Sequence, residues 1–162
     1  MIFVTVGHKE FDRLVKSIDE IAKRINDELV IQIGDRPKYF PKNAKYFRFI
    51  TRNEIEEYFR NTKLIISQCS TGAIINARRY SKPIIMIPRD HRRGEHIDGH
   101  QLQLAKILEG DKSMKGVYIL YDLSQLEPII QLALKVTPKY TESSNKQRLI
   151  NTIRDFINRN FS

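Results

Sequence analysis

One cysteine in 162 residues, no tryptophan and only seven glycines set the first limits on this chain. Cys69 has no internal partner, so no intrachain disulfide can form, and a reducing compartment is the simplest setting. No apolar run approaches the ~20 residues that cross a bilayer as a helix. The N-terminal MIFVTVG is apolar, but it has no basic segment and no small-residue cleavage site, and it reads as a first strand rather than a signal peptide. The dinucleotide fingerprint G-x-G-x-x-G is missing, since Gly7 alone follows that strand, and this argues against a nicotinamide enzyme. Like charges never form a block of five or six, and the sequence holds neither an internal repeat nor a low-complexity tract.

What is present is ordinary for a soluble domain: 41% hydrophobic and 29% charged residues, in a length that suits one domain and not two. The formal net charge of +9 favours anionic partners such as nucleotides or phospholipid headgroups, although a solvated basic surface accounts for it equally well. Aromatic and basic residues interleave at Lys38-Tyr39-Phe40 and Lys45-Tyr46-Phe47-Arg48. No RNA-binding signature accompanies them, so no nucleic-acid partner is expected.

The periodicity predicts alternating strands and helices. Strands are expected over 2–6, 29–33, 46–50, 64–67, 84–87 and 117–120. Between them, Phe11, Leu14, Val15, Ile18, Ile21, Ala22 and Ile25 form one apolar helical face. A short helix capped by Asn53 carries Ile55, Tyr58 and Phe59. Further helices are expected from Ser70-Thr71-Gly72 to about Tyr80, over about 98–108 and over about 124–135. This alternation predicts a single Rossmann-like α/β domain over 1–136, with a mostly parallel sheet and helices on both faces. Residues 137–162 read as a polar linker and an amphipathic helix bearing Leu149, Ile150, Ile153, Phe156 and Ile157, packed back on the sheet or docked on a partner.

Three segments can carry chemistry. In an open α/β sheet, ligands bind at the carboxyl ends of the strands. Gly7, in the turn Thr5-Val6-Gly7-His8, allows close approach of backbone to a ligand, or simply ends the strand. Ser70, Thr71, Gly72 and Ala73 open a helix with small and hydroxyl-bearing side chains, which suits a phosphate at the helix amides and equally suits a plain N-cap. The third segment, IMIPRDHRRGEHIDGHQLQLAKI, holds three of the four histidines and a further helix mouth able to face an anion. His96 and His100, with Glu95 and Asp98 nearby, match no strong metal signature, and no metal site is expected. Gln101 can both donate to and accept from a sugar hydroxyl.

Four stretches give the chain a family likeness: FVTVGHKEFDRLVKSIDEI, VIQIG, ISQCSTGAI with SKPIIMIPR, and GEHIDGHQLQLA. Together they span most of residues 1–110, and the last is the most specific. The chain resembles the glycosyltransferase family 28 C-terminal domain. Within it, the likeness is to the small stand-alone catalytic subunits of two-component UDP-N-acetylglucosamine transferases and to polysaccharide-biosynthesis subunits. The family's usual His-Ala-Gly-Ala-Gly is Gln68-Cys69-Ser70-Thr71-Gly72 here. Its ribose-binding glutamate is Asn76, and its Gly-Lys-Pro is Ser81-Lys82-Pro83.

The resemblance implies the C-terminal, nucleotide-sugar-binding half of a GT-B glycosyltransferase, an inverting hexosyltransferase acting on a UDP-sugar without cofactor or metal. It places the diphosphate near Gly7 and the Ser70 to Ala73 turn, the ribose near Asn76, and the sugar against Gln101 and His100 with Glu95 close by. His8 is the candidate catalytic base by its position at the expected cleft. At 162 residues there is no room for an acceptor half, so the resemblance implies a separate membrane-anchored acceptor-binding subunit and a lipid-linked glycan acceptor. The chain is then expected in the cytoplasm, recruited peripherally to the membrane. A non-catalytic nucleotide-sugar-binding or regulatory subunit is the alternative.

Overall fold

Short runs of β-branched and other apolar side chains, IFVT, LVIQ and IIMI, are buried at every position, which is the pattern of strands covered on both faces of a parallel sheet. The computed structural model describes residues 1–110 and 114–140. In chain order the elements are β1 (Ile2–Thr5), α1 (Asp12–Ala22), β2 (Leu29–Gln32), β3 (Lys45–Phe47), α2 (Arg52–Asn61), β4 (Leu64–Gln68), α3 (Thr71–Arg79), β5 (Ile84–Ile87), α4 (His100–Gly110), β6 (Met114–Lys115), β7 (Val117–Ile119), α5 (Leu126–Ala133) and β8 (Lys139–Tyr140).

Six strands form one parallel sheet in the order β3-β2-β1-β4-β5-β7. The chain winds outward from β1 through β2 to β3, then returns by α2 to the other side of β1 and winds out through β5 to β7. The winding direction therefore reverses between β1 and β4. Alternate strand residues point to opposite faces. Ile2, Val4, Ile31, Ile66 and Ile85 pack under Leu14, Val15 and Ile18 of α1 and under Leu126 and Ile130 of α5. Phe3, Ile65, Ile84 and Met86 pack on the other face under Phe59 of α2, Ala73 and Ile74 of α3, and Ala105 and Leu108 of α4. This is the expected α/β domain with helices on both faces.

Three local expectations are corrected. The third strand is Lys45–Phe47 rather than 46–50. It is exposed along most of its length, because it forms the sheet edge and pairs only with β2. The cap of α2 is Thr51, not Asn53: its side chain accepts from the Glu54 N–H, and Glu54 accepts in return from the Thr51 N–H at 2.7 Å, a reciprocal capping box. Within the stretch read as linker, Lys139–Tyr140 pairs antiparallel with Met114–Lys115, and the Tyr140 hydroxyl donates to the Lys82 carbonyl at 2.6 Å. The C-terminal amphipathic segment lies outside the described residues.

Candidate nucleotide-sugar site

The winding reverses between β1 and β4, and the carboxyl ends of strands at such a switch point are where sheets of this topology bind ligands. On the β1 side, Gly7 has φ +71 and both of its peptide groups are fixed. Its N–H donates to Thr5 Oγ1 at 3.2 Å, Thr5 Oγ1 donates to Gln32 Oε1, and Gln32 Nε2 donates back to the Gly7 carbonyl at 3.0 Å. The ring of bonds closes because Thr5 and Gln32 are register partners at the ends of β1 and β2.

On the β4 side, Ser70 has extended backbone angles and caps α3, its Oγ accepting from the Ala73 N–H at 3.3 Å. Thr71 and Gly72 are exposed, and Ala73 is buried against the sheet. A Cβ added at Gly72 would meet nothing within 4 Å, so internal packing does not require a glycine there. The open space lies over the first turn of a helix, where unsatisfied N–H groups and the positive end of the dipole face outward. Asn76, one turn on, donates from Nδ2 to the Gly72 carbonyl at 3.1 Å, so its amide is partly occupied within the helix.

The turns of Gly7 and Ser70 meet through Gln68, whose amide lies against the Gly7 Cα. Gln101 joins them by another route. It is buried, and its Oε1 accepts from the backbone N–H of Arg89 at 3.0 Å, while the Arg89 side chain donates to the carbonyl of Val6, next to Gly7. Only the Nε2 end of Gln101 remains to meet a ligand.

The remaining residues singled out in the sequence are more dispersed. Glu95 is committed inside the protein: its oxygens take Arg13 Nε at 2.6 Å and Nη2 at 3.0 Å, and one also takes the Asp90 N–H at 2.8 Å. The mouth of α4 differs from the open anion site expected there. Asp98 accepts from the His100 N–H at 3.1 Å, so a carboxylate already sits on that helix end and would repel a phosphate. That backbone bond outweighs the upward push of desolvation and holds the Asp98 carboxyl below its ordinary pKa, with His100 and His96 lowering it further. The imidazole Nδ1 atoms of His96 and His100 lie 3.0 Å and 2.9 Å from Asp98. His100 is exposed. His8 is also exposed, with its ring centroid 5.7 Å from that of Phe49. Among the described residues no group of three or more His, Cys, Asp or Glu side chains is arranged to hold a metal ion.

Gln68, noted in the sequence only as a departure from the family's usual histidine, and Arg89, not singled out there, also border this region. Gln68 and Arg89 each carry a buried polar atom, Oε1 and Nε, with no hydrogen-bond partner among the described residues, and both lie against residues 6–7. A charged residue directly after a proline-ended apolar strand was the available signal for Arg89.

A parallel sheet wound in both directions from β1, with a capped helix mouth at its switch point, defines a doubly wound α/β domain. Comparison with solved structures finds the same fold in known proteins. The fold is shared with the spinosyn forosaminyltransferase SpnP (TM-score 0.57, 14% identity, covering 82% of this chain and 34% of that one). It is shared also with the NMR structure of ALG13 (TM-score 0.51, 20% identity, covering 88% and 89%). The family model of the glycosyltransferase family 28 C-terminal domain matches residues 1–159, and the chain belongs to that family.

Among curated relatives, the UDP-N-acetylglucosamine transferase subunit ALG13 of Candida albicans is 32% identical over 82 residues, 51% of this chain and 25% of the relative. The UDP-N-acetylglucosamine--N-acetylmuramyl-(pentapeptide) pyrophosphoryl-undecaprenol N-acetylglucosamine transferase of Prochlorococcus marinus is 27% identical over 154 residues, 85% of this chain and 41% of the relative. The chain thus spans less than half the length of either.

Proposed function

We propose that this chain is the donor-binding half of an inverting glycosyltransferase, taking a UDP-sugar and acting with a membrane-anchored subunit that binds a lipid-linked acceptor. The observation that carries the reading is the open space over Gly72 at the first turn of α3, the helix that follows β4 at the switch point of the sheet. A diphosphate there would receive backbone N–H groups from α3 and lie against the fixed Gly7 turn, where preorganised donors offset its charge. The Nε2 of Gln101 and the exposed imidazole of His100 would hold sugar hydroxyls.

In the reaction, an acceptor hydroxyl attacks the anomeric carbon from the face opposite the diphosphate. The bond from that carbon to the phosphate oxygen breaks, and UDP departs carrying the negative charge that the helix end stabilises. The hydroxyl proton passes to a base on the acceptor side, for which His8 is the candidate within this chain. Both named relatives are N-acetylglucosamine transferases, which makes UDP-N-acetylglucosamine the first donor to try. The net charge of +9 suits recruitment to the anionic cytoplasmic face of a membrane.

Titration calorimetry with UDP and UDP-N-acetylglucosamine tests the site. A leucine at Gly72 projects into open space and spares the core, so Gly72→Leu should fold normally yet bind either nucleotide roughly tenfold or more weakly. Equal affinity in variant and wild type would remove the diphosphate from this turn. Donor binding without transfer, when the acceptor subunit is supplied, would favour the regulatory alternative.

A further inference from the structure

Two arginines cross between the same two loops in opposite directions. Arg89 follows Pro88 at the end of β5, is 2% exposed, and reaches into the loop after β1. There its Nη2 donates to the carbonyls of Val6 at 2.8 Å, Lys9 at 2.6 Å and Glu10 at 3.1 Å. Arg13, in the first turn of α1, reaches the other way to Glu95 and to the Pro88 carbonyl at 3.3 Å. Both guanidiniums lie over the ring of Phe11, at 5.1 Å and 5.2 Å from its centroid. Since β4 lies between β1 and β5 in the sheet, these loops meet across the end of the strand that leads into the Ser70 turn.

The environment of Arg89 is unusual for a cation. Burial lowers its pKa to about 10, against the opposing pull of Glu10 and Glu95, so it stays charged at neutral pH. Its acceptors are neutral backbone carbonyls, and its Nε has no partner among the described residues. A buried charge in such a setting is costly, and a hydrophobic side chain would hold two loops together at less expense. What a guanidinium adds is geometry. The long, planar group carries one nitrogen, Nη2, to the carbonyls of Val6, Lys9 and Glu10 around the Gly7 turn, while the backbone N–H of the same residue fixes Gln101 Oε1 at 3.0 Å.

We propose that Arg89 is a positioning residue that ties the Gly7 turn to Gln101, so that the diphosphate end and the sugar end of the donor site are occupied cooperatively. The proposal rests on the donor-binding reading above. Through the side chain, residue 89 sets the backbone that borders the diphosphate; through the main chain, it sets the one amide able to turn Nε2 to the sugar. Displacing either end shifts the other through a single residue, which is the physical requirement for coupled binding.

Calorimetry on Arg89→Lys and Arg89→Met gives the first test. The ratio of the dissociation constants for UDP and UDP-N-acetylglucosamine measures what the sugar adds. Coupling predicts that this ratio moves toward one by roughly fivefold or more in both variants. Lysine fails as methionine does because its ammonium keeps the charge but ends one bond short of the Nη2 position that meets the three carbonyls. Weaker UDP binding with an unchanged ratio is the signature of a loop-holding residue alone and overturns the proposal.

Hydrogen exchange on the nucleotide-free protein is the second test, and it does not depend on the donor reading. Gln101→Leu removes the acceptor at the far end of the link. Amides of residues 6–11 should then exchange roughly tenfold faster, although none of their N–H groups bonds Gln101. Unchanged exchange in that segment overturns the coupling even if the Arg89 variants fail to fold. If the wild-type chain binds neither nucleotide, the donor reading fails and the exchange measurement still decides the link.

Discussion

A methyl group on the Cα of Gly7 would stand 2.3 Å from Nε2 of Gln68, so the amide of Gln68, at the end of the neighbouring strand, fills the place where a side chain at residue 7 would begin. Gly7 also has φ +71, a left-handed conformation that L side chains adopt at a cost of about 1–2 kcal/mol. Gly34 is constrained differently: at φ +82, a methyl there would meet the Lys9 carbonyl oxygen at 2.8 Å and that of His8 at 3.1 Å. The Gln68 amide is the end of a flexible side chain and can swing aside, whereas the backbone of Lys9 cannot. Gly7→Ala should therefore cost about 1–2 kcal/mol, and Gly34→Ala about 3 kcal/mol or more, in urea unfolding. Equal losses would show that the Lys9 contact yields as easily as Gln68 does.

Ser81 is the one described non-glycine residue with a positive φ, at +50. It precedes Lys82-Pro83, where the family's usual residue is glycine. The strain explains that usage: the chain turns through the left-handed region to enter β5, and a Cβ is penalised there. Ser81→Gly should raise stability by about 0.5–1 kcal/mol, seen as a higher midpoint of thermal unfolding, with nucleotide binding unchanged because the residue lies at the opposite end of the strands from the site.

Asp19 should govern the acid limb of stability. It is 1% exposed on α1 and holds the segment that leads to β3, accepting from the Tyr39 hydroxyl at 2.6 Å and from the N–H groups of Lys42 and Asn43 at 3.0 Å and 2.7 Å. Burial alone would raise its pKa, but these donors outweigh it and hold the carboxyl below 3.8. A carboxylate more acidic when folded than when unfolded stabilises the protein above its unfolded pKa and loses that contribution as pH falls through the folded one. Unfolding free energy should thus be level near neutrality and decline below about pH 4. Asp19→Ala should cost about 3 kcal/mol at pH 7 and flatten the decline. A variant whose acid limb matches the wild type would shift the responsibility to other carboxylates.

The thiol of Cys69 is 1% exposed, and burial pushes its pKa up to about 12. It packs beneath α3 on the sheet face shared with Ile65 and Met86. Thiolate is therefore scarce at neutral pH, and the sulfur is inaccessible. Titration with an aromatic disulfide reagent should show almost no reaction in the native protein and one equivalent after denaturation. Rapid native labelling would mean that α3 opens readily from the sheet.

Much of this architecture was legible because its signals are dense. The strands β1, β4 and β5 announce themselves as apolar runs bounded by Gly7, Ser70 and Pro88, and of the hydroxyls at 70 and 71 that could cap α3, Ser70 is the one that does. What escaped notice depends on single contacts. Arg89 looks like any solvated charge beside Asp90, since nothing in its neighbours says that its side chain turns inward to Val6. Gln101 reads as a polar ligand contact, and the sequence gives no hint that one end of its amide is taken by a backbone N–H. Glu95 carries no local sign of its tie to Arg13, which lies 82 positions away. Two-residue strands such as Lys139–Tyr140 carry no periodicity at all. Thr51 was readable, for Thr-x-x-Glu is a capping box, but Asn53 lay nearer the apolar positions.

The β3 edge has a bearing on how this protein behaves in a crowded cell. Its three residues are flanked by turn, and Lys45 reaches out to Glu28 at 2.6 Å. A ledge so brief, with a cation at its margin, offers a passing extended peptide too few amide partners to take hold. The open side of a parallel sheet is a standing invitation to fibril growth, and at this border the chain withdraws it with one short strand and a lysine.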